Sequence, residues 1–141
     1  MTISFTNGSA ATRVAFLKQG NSGTASPQNH IQYSADTEFG SGTQIGSSGW
    51  FCVYNGPEVV NESSTTVTIT GLSASNSYTL QVFEYKGTID DPIYYTNTAT
   101  GNPGIVRTSD NKYYVKSDGD NSNLGTEWTS AFQTVQKALD M

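Results

Sequence analysis

The chain has 141 residues, 35% of them hydrophobic and 13% charged, with a formal net charge of -5, a length that fits one domain or two small ones. Ser, Thr, Asn and Gly supply about two fifths of it and aromatics 11%, which predicts short strands and many turns over an aromatic core rather than a charge-rich disordered tail. Seven scattered basic residues do not make a groove for phosphate, no apolar run reaches the ~20 residues of a bilayer span, and a single cysteine, Cys52, excludes an intramolecular disulfide framework and a cysteine-based zinc site.

No charged and then apolar leader follows Met1, so no secretory signal is legible. Thr2-Ile3-Ser4-Phe5-Thr6 alternates polar and apolar residues and meets Asn7-Gly8, a strand running into a turn. Residues 13–18 form the next strand, ended by the flexible run 19–23. Residues 24–48 hold few apolar side chains and read as a long connection with a short strand near residues 30–33. Trp50-Phe51-Cys52-Val53-Tyr54 is a compact apolar strand, stopped by Asn55-Gly56-Pro57. Residues 65–70 alternate strictly, which turns Val67 and Ile69 toward a core. Residues 78–85 are the strongest strand, with Tyr78, Leu80 and Val82 on one face and Thr79, Gln81 and Phe83 on the other. Ile93-Tyr94-Tyr95-Thr96 follows the turn Asp90-Asp91-Pro92, and Asn102-Pro103-Gly104 closes the section. Strands about ten residues apart with turns between them predict an all-β antiparallel sandwich, each sheet burying one face. From Lys112 the pattern changes to a short strand, Tyr113-Tyr114-Val115, then a polar loop over 117–125. A helix is expected next, capped by Thr129, with Ala131, Phe132, Val135, Ala138 and Leu139 at helical spacing.

The candidate sites are few. Asp118, Asp120 and Ser122 alternate as the first oxygen ligands of a Ca²⁺ loop do. The closing Glu of an EF-hand is absent, Thr129 standing there, and an ordinary Asx-turn loop is the favoured reading; no other cofactor is implied. Asp90 and Asp91 are turn neighbours, unlike glycosidase carboxylates, which face each other across a sugar at ~5–9 Å. Glu84, near Lys86, is expected on an exposed strand face. His30, the only histidine, has no nucleophile placed beside it and reads as a surface residue. Cys52, between Phe51 and Val53, reads as a buried, inert thiol. Trp50, Tyr94 and Tyr95 would stack on sugar rings if exposed. Core packing is the favoured role of Trp50. Tyr94 and Tyr95 are strand neighbours, so one points outward, and that one is the binding candidate. Asn7-Gly8-Ser9 and Asn61-Glu62-Ser63 fit the glycosylation pattern, common by chance in such a chain, and receive no function.

Gly71-Leu72-Ser73-Ala74-Ser75-Asn76-Ser77-Tyr78 resembles the Gly-Leu-x-Pro-x-x-x-Tyr signature of fibronectin type III domains, with Ala74 where Pro is usual. The resemblance implies that Tyr78 is a corner tyrosine whose hydroxyl bonds back to nearby backbone. The runs Phe39-Gly40-Ser41-Gly42-Thr43-Gln44-Ile45-Gly46, Val53-Tyr54-Asn55-Gly56, Val82-Phe83-Glu84-Tyr85 and Tyr95-Thr96-Asn97 resemble a variety common in secreted proteins of Bacteroidetes-type bacteria, and the likeness covers residues 2–101. Thr2-Ile3-Ser4-Phe5-Thr6 is similar to that family's second strand, with Phe5 where a Trp is usual. The first strand has no counterpart. This implies an immunoglobulin/fibronectin III-like sandwich with an edge open to another chain, so the chain is expected to associate or to be stabilised by a parent assembly.

Tyr113-Tyr114-Val115, the loop around Asp118-Gly119-Asp120-Asn121-Ser122, then Trp128-Thr129-Ser130-Ala131-Phe132 and Leu139 resemble the opening of a right-handed, pectate-lyase-like parallel β-helix. Such a fold needs several stacked coils, so the chain reads as a fragment. The expected division is a sandwich over 1–101, a linker over 102–111, and the truncated start and capping helix of a β-helix over 112–141. The expected function is a non-catalytic structural or adhesive spacer module of a larger extracellular, cell-surface or phage tail or fibre protein. Its partners would be the remainder of that assembly and cell-surface polysaccharide, with neither nucleic acid nor a membrane span. The alternative is an accessory, glycan-binding piece of a secreted β-helix carbohydrate-active enzyme.

Overall fold

Alternating residues become strands wherever the alternation is clear. The structure, a computed structural model, describes residues 1–10, 12–57, 63–109 and 112–141, and its chain divides into two units, 1–109 and 110–141. The first unit holds β1 (Thr2–Thr6), β2 (Thr12–Gln19), β3 (Phe51–Pro57), β4 (Ser64–Thr68), β5 (Ser77–Thr88), β6 (Asp91–Tyr95) and β7 (Gly104–Arg107). β1 and β4 pair as a two-stranded sheet. A five-stranded sheet runs β3-β2-β5-β6, with β7 also on β5. All these pairings are antiparallel, and the unit is an all-β sandwich. The segment 102–111, expected to be a linker, contributes β7, so the sandwich continues beyond residue 101. The Asn61-Glu62-Ser63 motif falls partly outside the described residues.

β6 and β7 share one edge of the long strand β5, β6 at residues 84–88 and β7 at residues 77–80. Between them an amide side chain stands in for backbone. Val82 N–H donates to Asn102 Oδ1 at 3.1 Å, and Asn102 Nδ2 donates to the Val82 carbonyl at 2.6 Å. The edge is thereby satisfied where no strand passes.

The larger sheet buries both faces. Its inner face carries Ala15, Leu17, Val53, Tyr78 and Leu80 against Ile3, Val67 and Ile69 of the small sheet. Its outer face carries Val14, Phe16, Cys52, Phe83, Tyr85 and Tyr94 against Tyr33, Ile45 and Trp50. Those last three come from the connection after β2, which lies on the sheet. One-sided burial therefore holds for β1 and β4 but not for β2, whose residues 13–17 are all buried. A strand covered on both faces loses its alternation.

A segment so poor in apolar residues holds its place through backbone pairing. Cys52 N–H donates to the Thr43 carbonyl at 2.9 Å, Asp36 N–H to the Cys52 carbonyl at 3.1 Å and Ile45 N–H to the Trp50 carbonyl at 3.0 Å. Gly42 makes this approach possible: a Cβ there would overlap the Cys52 carbonyl oxygen. The strand expected near residues 30–33 does not form. His30 sits at φ 64, and this stretch caps the edge of β6 instead: His30 N–H donates to the Pro92 carbonyl at 2.8 Å and Tyr94 N–H to Asn29 Oδ1 at 2.8 Å. On the inner side, Ser73 N–H donates to the Tyr78 hydroxyl at 2.9 Å, pinning the turn before β5.

In the second unit the expected strand at 113–115 is a single bridge, Val115 to Phe132. Phe132 N–H donates to the Tyr114 carbonyl at 2.9 Å and Tyr114 N–H to the Gly125 carbonyl at 2.8 Å. Gly125 has φ 70, and the Phe132 ring occupies the space a Cβ would need. The helix starts later than expected. A 3₁₀ turn covers Trp128–Ser130, and α1 (Val135–Leu139) begins after Thr134, whose hydroxyl accepts the Lys137 N–H at 3.3 Å. Thr134 rather than Thr129 is the cap. Ala131 and Phe132 are fully buried in the segment between the two turns, so their apolar spacing reflects a small core rather than a helical face.

Candidate binding cleft

The two sheets differ in width, and the difference leaves a space. β1 bonds to β4 through its odd-numbered residues: Met1 and Ile69 exchange both bonds, and Asn7 N–H donates to the Ser63 carbonyl at 2.9 Å. The ladder alternates, so the N–H and C=O of Thr2, Ser4 and Thr6 face away from β4. Beyond that edge lies a cavity of about 700 Å³ bounded by Ser4, Phe5 and Thr6 on one side and by Leu80, Val82 and Val106 of β5 and β7 on the other. Arg13, Glu84 and Tyr95 also line it.

Arg13 and Glu84 are register partners across β2 and β5. Arg13 is only 1% exposed. Its guanidinium donates to Asn7 Oδ1 at 2.6 Å and to the Ala10 carbonyl at 2.9 Å, and lies 3.7 Å from Glu84 Oε1. Glu84 Oε1 accepts the Ala10 N–H at 3.2 Å, and Oε2 accepts the Ser9 hydroxyl at 3.4 Å. The β1–β2 turn thus wraps a charge pair, and Gly8 passes where any side chain would strike the Glu84 carboxylate. Glu84, expected on an open strand face, is half-buried in this cluster. The carboxylate is thus tied by a guanidinium and two donors to the β1–β2 turn.

The aromatic candidates separate. Trp50 is 1% exposed and Tyr94 5%, and the Tyr94 hydroxyl donates to the Ile31 carbonyl at 3.0 Å. Both rings pack in the outer core, which removes them as stacking platforms. Tyr95 is the outward neighbour, 46% exposed, and pairs with Glu84 in the β5–β6 register.

Elsewhere the polar candidates are occupied with structure. Asp120 Oδ1 accepts both the backbone N–H and the hydroxyl of Ser122 at 2.8 Å, an Asx turn that lowers its pKa below the ordinary carboxylate value. Asp118 is exposed and lies 3.8 Å from the Lys116 ammonium. Asp120 and Ser122 are thus bonded to each other and Asp118 lies beside Lys116, and among the described residues no group of three or more His, Cys, Asp or Glu is placed to hold a metal ion. His30 Nδ1 lies 2.6 Å from Asp91 Oδ1, both side chains exposed, a pair sequence reading did not join. Asp90 plays no part in it. Cys52 is fully buried, and burial pushes its thiol up to about 12, the inert state expected. Among the described residues no helix is long and apolar enough to cross a membrane.

The cleft itself was not legible. Its one signal was the unmatched strand edge at residues 2–6, which is the edge the cavity adjoins. No family model, no curated protein and no solved structure matches the chain.

Proposed function

We propose that the chain is a non-catalytic structural and adhesive spacer module of a larger extracellular or virion protein. The doubly covered sheet carries this reading. With β2 buried on both faces, the outer connection tied to β3 by backbone bonds and the small sheet packed on the inner face through Ile3, Val67 and Ile69, the described residues of 1–109 form a doubly covered block, the kind of unit that holding a distance demands. Support also comes from the second unit, which exposes Leu124, Trp128, Val135 and Leu139, apolar side chains that a neighbouring domain of a longer protein would cover. An antibody against residues 1–109 tests it on intact cells or particles of the source. Surface or virion labelling is the expected result, and labelling confined to the cell interior removes the reading.

A second reading is an accessory, polysaccharide-binding piece of a carbohydrate-active enzyme. Tyr95, exposed beside the anchored carboxylate of Glu84, favours it, because an open aromatic face suits the apolar face of a sugar ring. Tyr95→Ala should abolish glycan-array binding; equal signals from the parent and the variant dispose of it.

A further inference from the structure

We infer that the cavity beside β1 takes up one extended segment of another polypeptide, uncharged and with apolar side chains at alternate positions, as an added strand. This deepens the module reading and rests on it. Three observations carry it. The first is parity. The backbone groups of Thr2, Ser4 and Thr6 face the open edge, an unpaired row ready to template a strand. The second is the contrast with the other edges. Asn29 and His30 cap β6, the Asn102 amide fills the gap along β5, and Phe39 N–H and the Thr37 carbonyl engage Thr70 just past the end of β4. The β1 edge has no such cover among the described residues. It also carries no Lys, Pro or bulge of the kind that guards an exposed edge. The third is the floor. Phe5, Leu80, Val82 and Val106 offer apolar contact to every second residue of an incoming strand, while Arg13 and Glu84 are already engaged with each other and with the β1–β2 turn. A neutral segment suits that lining.

The shape selects a lone segment over a second copy of this sandwich. β5 and β7 reach out beneath the open edge, so two copies brought together at β1 would drive their wider sheets into each other. A guest strand instead lies on that ledge and widens the small sheet.

The probe is a short soluble peptide of alternating threonine and valine, titrated into the full chain and followed by calorimetry and by amide hydrogen exchange. Saturable binding is expected, with exchange slowed at Ser4 and Thr6. Two versions of the peptide, N-methylated on opposite alternate amides, should differ: one binds and the other does not. Ser4→Pro, which removes an edge donor while sparing the bonds to β4, should lose binding. If that variant does not fold, the methylated pair still decides. Unchanged exchange at Ser4 and Thr6, equal binding of both methylated peptides, or oxidative dimerisation of Ser4→Cys through paired β1 edges would each overturn the proposal. Such a failure alongside surface labelling by the antibody sinks the strand site alone; peptide binding by a protein found only inside cells sinks the spacer reading.

Discussion

The two faces of the larger sheet are buried by different means. The inner face meets another sheet, and Ile3, Val67 and Ile69 cover it in the ordinary way of a sandwich. The outer face meets a connection that has almost no secondary structure and only Tyr33, Ile45 and Trp50 as large buried anchors. The contrast teaches that a polar segment can seal a sheet when a few large rings supply the area and the backbone supplies the attachment. Edge-to-face contacts reinforce it: Phe16 and Tyr33 lie with centroids 5.1 Å apart, and Tyr33 and Tyr94 at 5.9 Å, spacings at which such pairs add to area burial.

Removing the largest anchor tests whether the outer layer belongs to the cooperative fold. Trp50→Ala should cost ~3–5 kcal/mol in denaturant unfolding, against ~0.5–1.5 kcal/mol for Ile69→Val on the inner side. A Trp50→Ala loss no larger than that of Ile69→Val would mean that the connection is a dispensable cover. Gly42→Ala should come next, at ~1–3 kcal/mol, because the methyl group pushes the connection off the Cys52 carbonyl; wild-type stability would show that the close approach carries no weight. Tyr78→Phe, on the inner side, strands the Ser73 N–H and should cost about 1 kcal/mol. A neutral result there would mean that water replaces the phenol.

The last test has no effect at neutral pH. Burial raises the pKa of Tyr85 and of Tyr94, and lifts the Cys52 thiol to about 12, and all three side chains belong to the outer core. A group raised in the folded state contributes stability that is fully present below its ordinary value, 9.0 for the thiol and 10.0 for the phenols, and loses it as pH rises through the folded value. Alkali should therefore loosen the outer layer first, seen as earlier loss of amide protection around Tyr94 than around Ile69. Simultaneous loss on both faces would erase the distinction.

Local pattern made the strands legible and hid what covers them. Alternation placed β1 and β4 because one side of each strand meets solvent and the other meets the core, and β5 was legible from its length and its apolar residues on both faces. β2 carried a different signal, the unbroken run Val14-Ala15-Phe16-Leu17, which marks burial on both faces; reading it as an ordinary strand lost the outer core, although the core role favoured for Trp50 holds. β7 was missed because its four residues, Gly104–Arg107, begin within the run Asn102-Pro103-Gly104, which suggests an ending. Near the C-terminus, apolar spacing was compatible with a helix through Ala131 and Phe132, and only the tertiary contacts of Gly125 and Phe132 decided otherwise. Of the candidate site, strand parity required one of Tyr94 and Tyr95 to face outward, and only the packing of the outer core shows that it is Tyr95. The Arg13–Glu84 cluster did not, since its members lie far apart in the chain and meet only through the β2–β5 register.

The Asn102 amide has an evolutionary corollary. Because it closes the gap on β5 by itself, the chain between β6 and β7 leaves and rejoins the sheet at two fastened points. Residues 97–101 border the cleft and are tied back to that fastening, the Thr98 hydroxyl donating to the Asn102 carbonyl at 3.0 Å and Asn102 N–H to the Ala99 carbonyl at 3.1 Å, so changes that keep those two bonds leave the ladder on either side undisturbed. Such an arrangement lets descendants of one scaffold diversify what they touch while keeping the same frame, much as a tool handle accepts interchangeable heads.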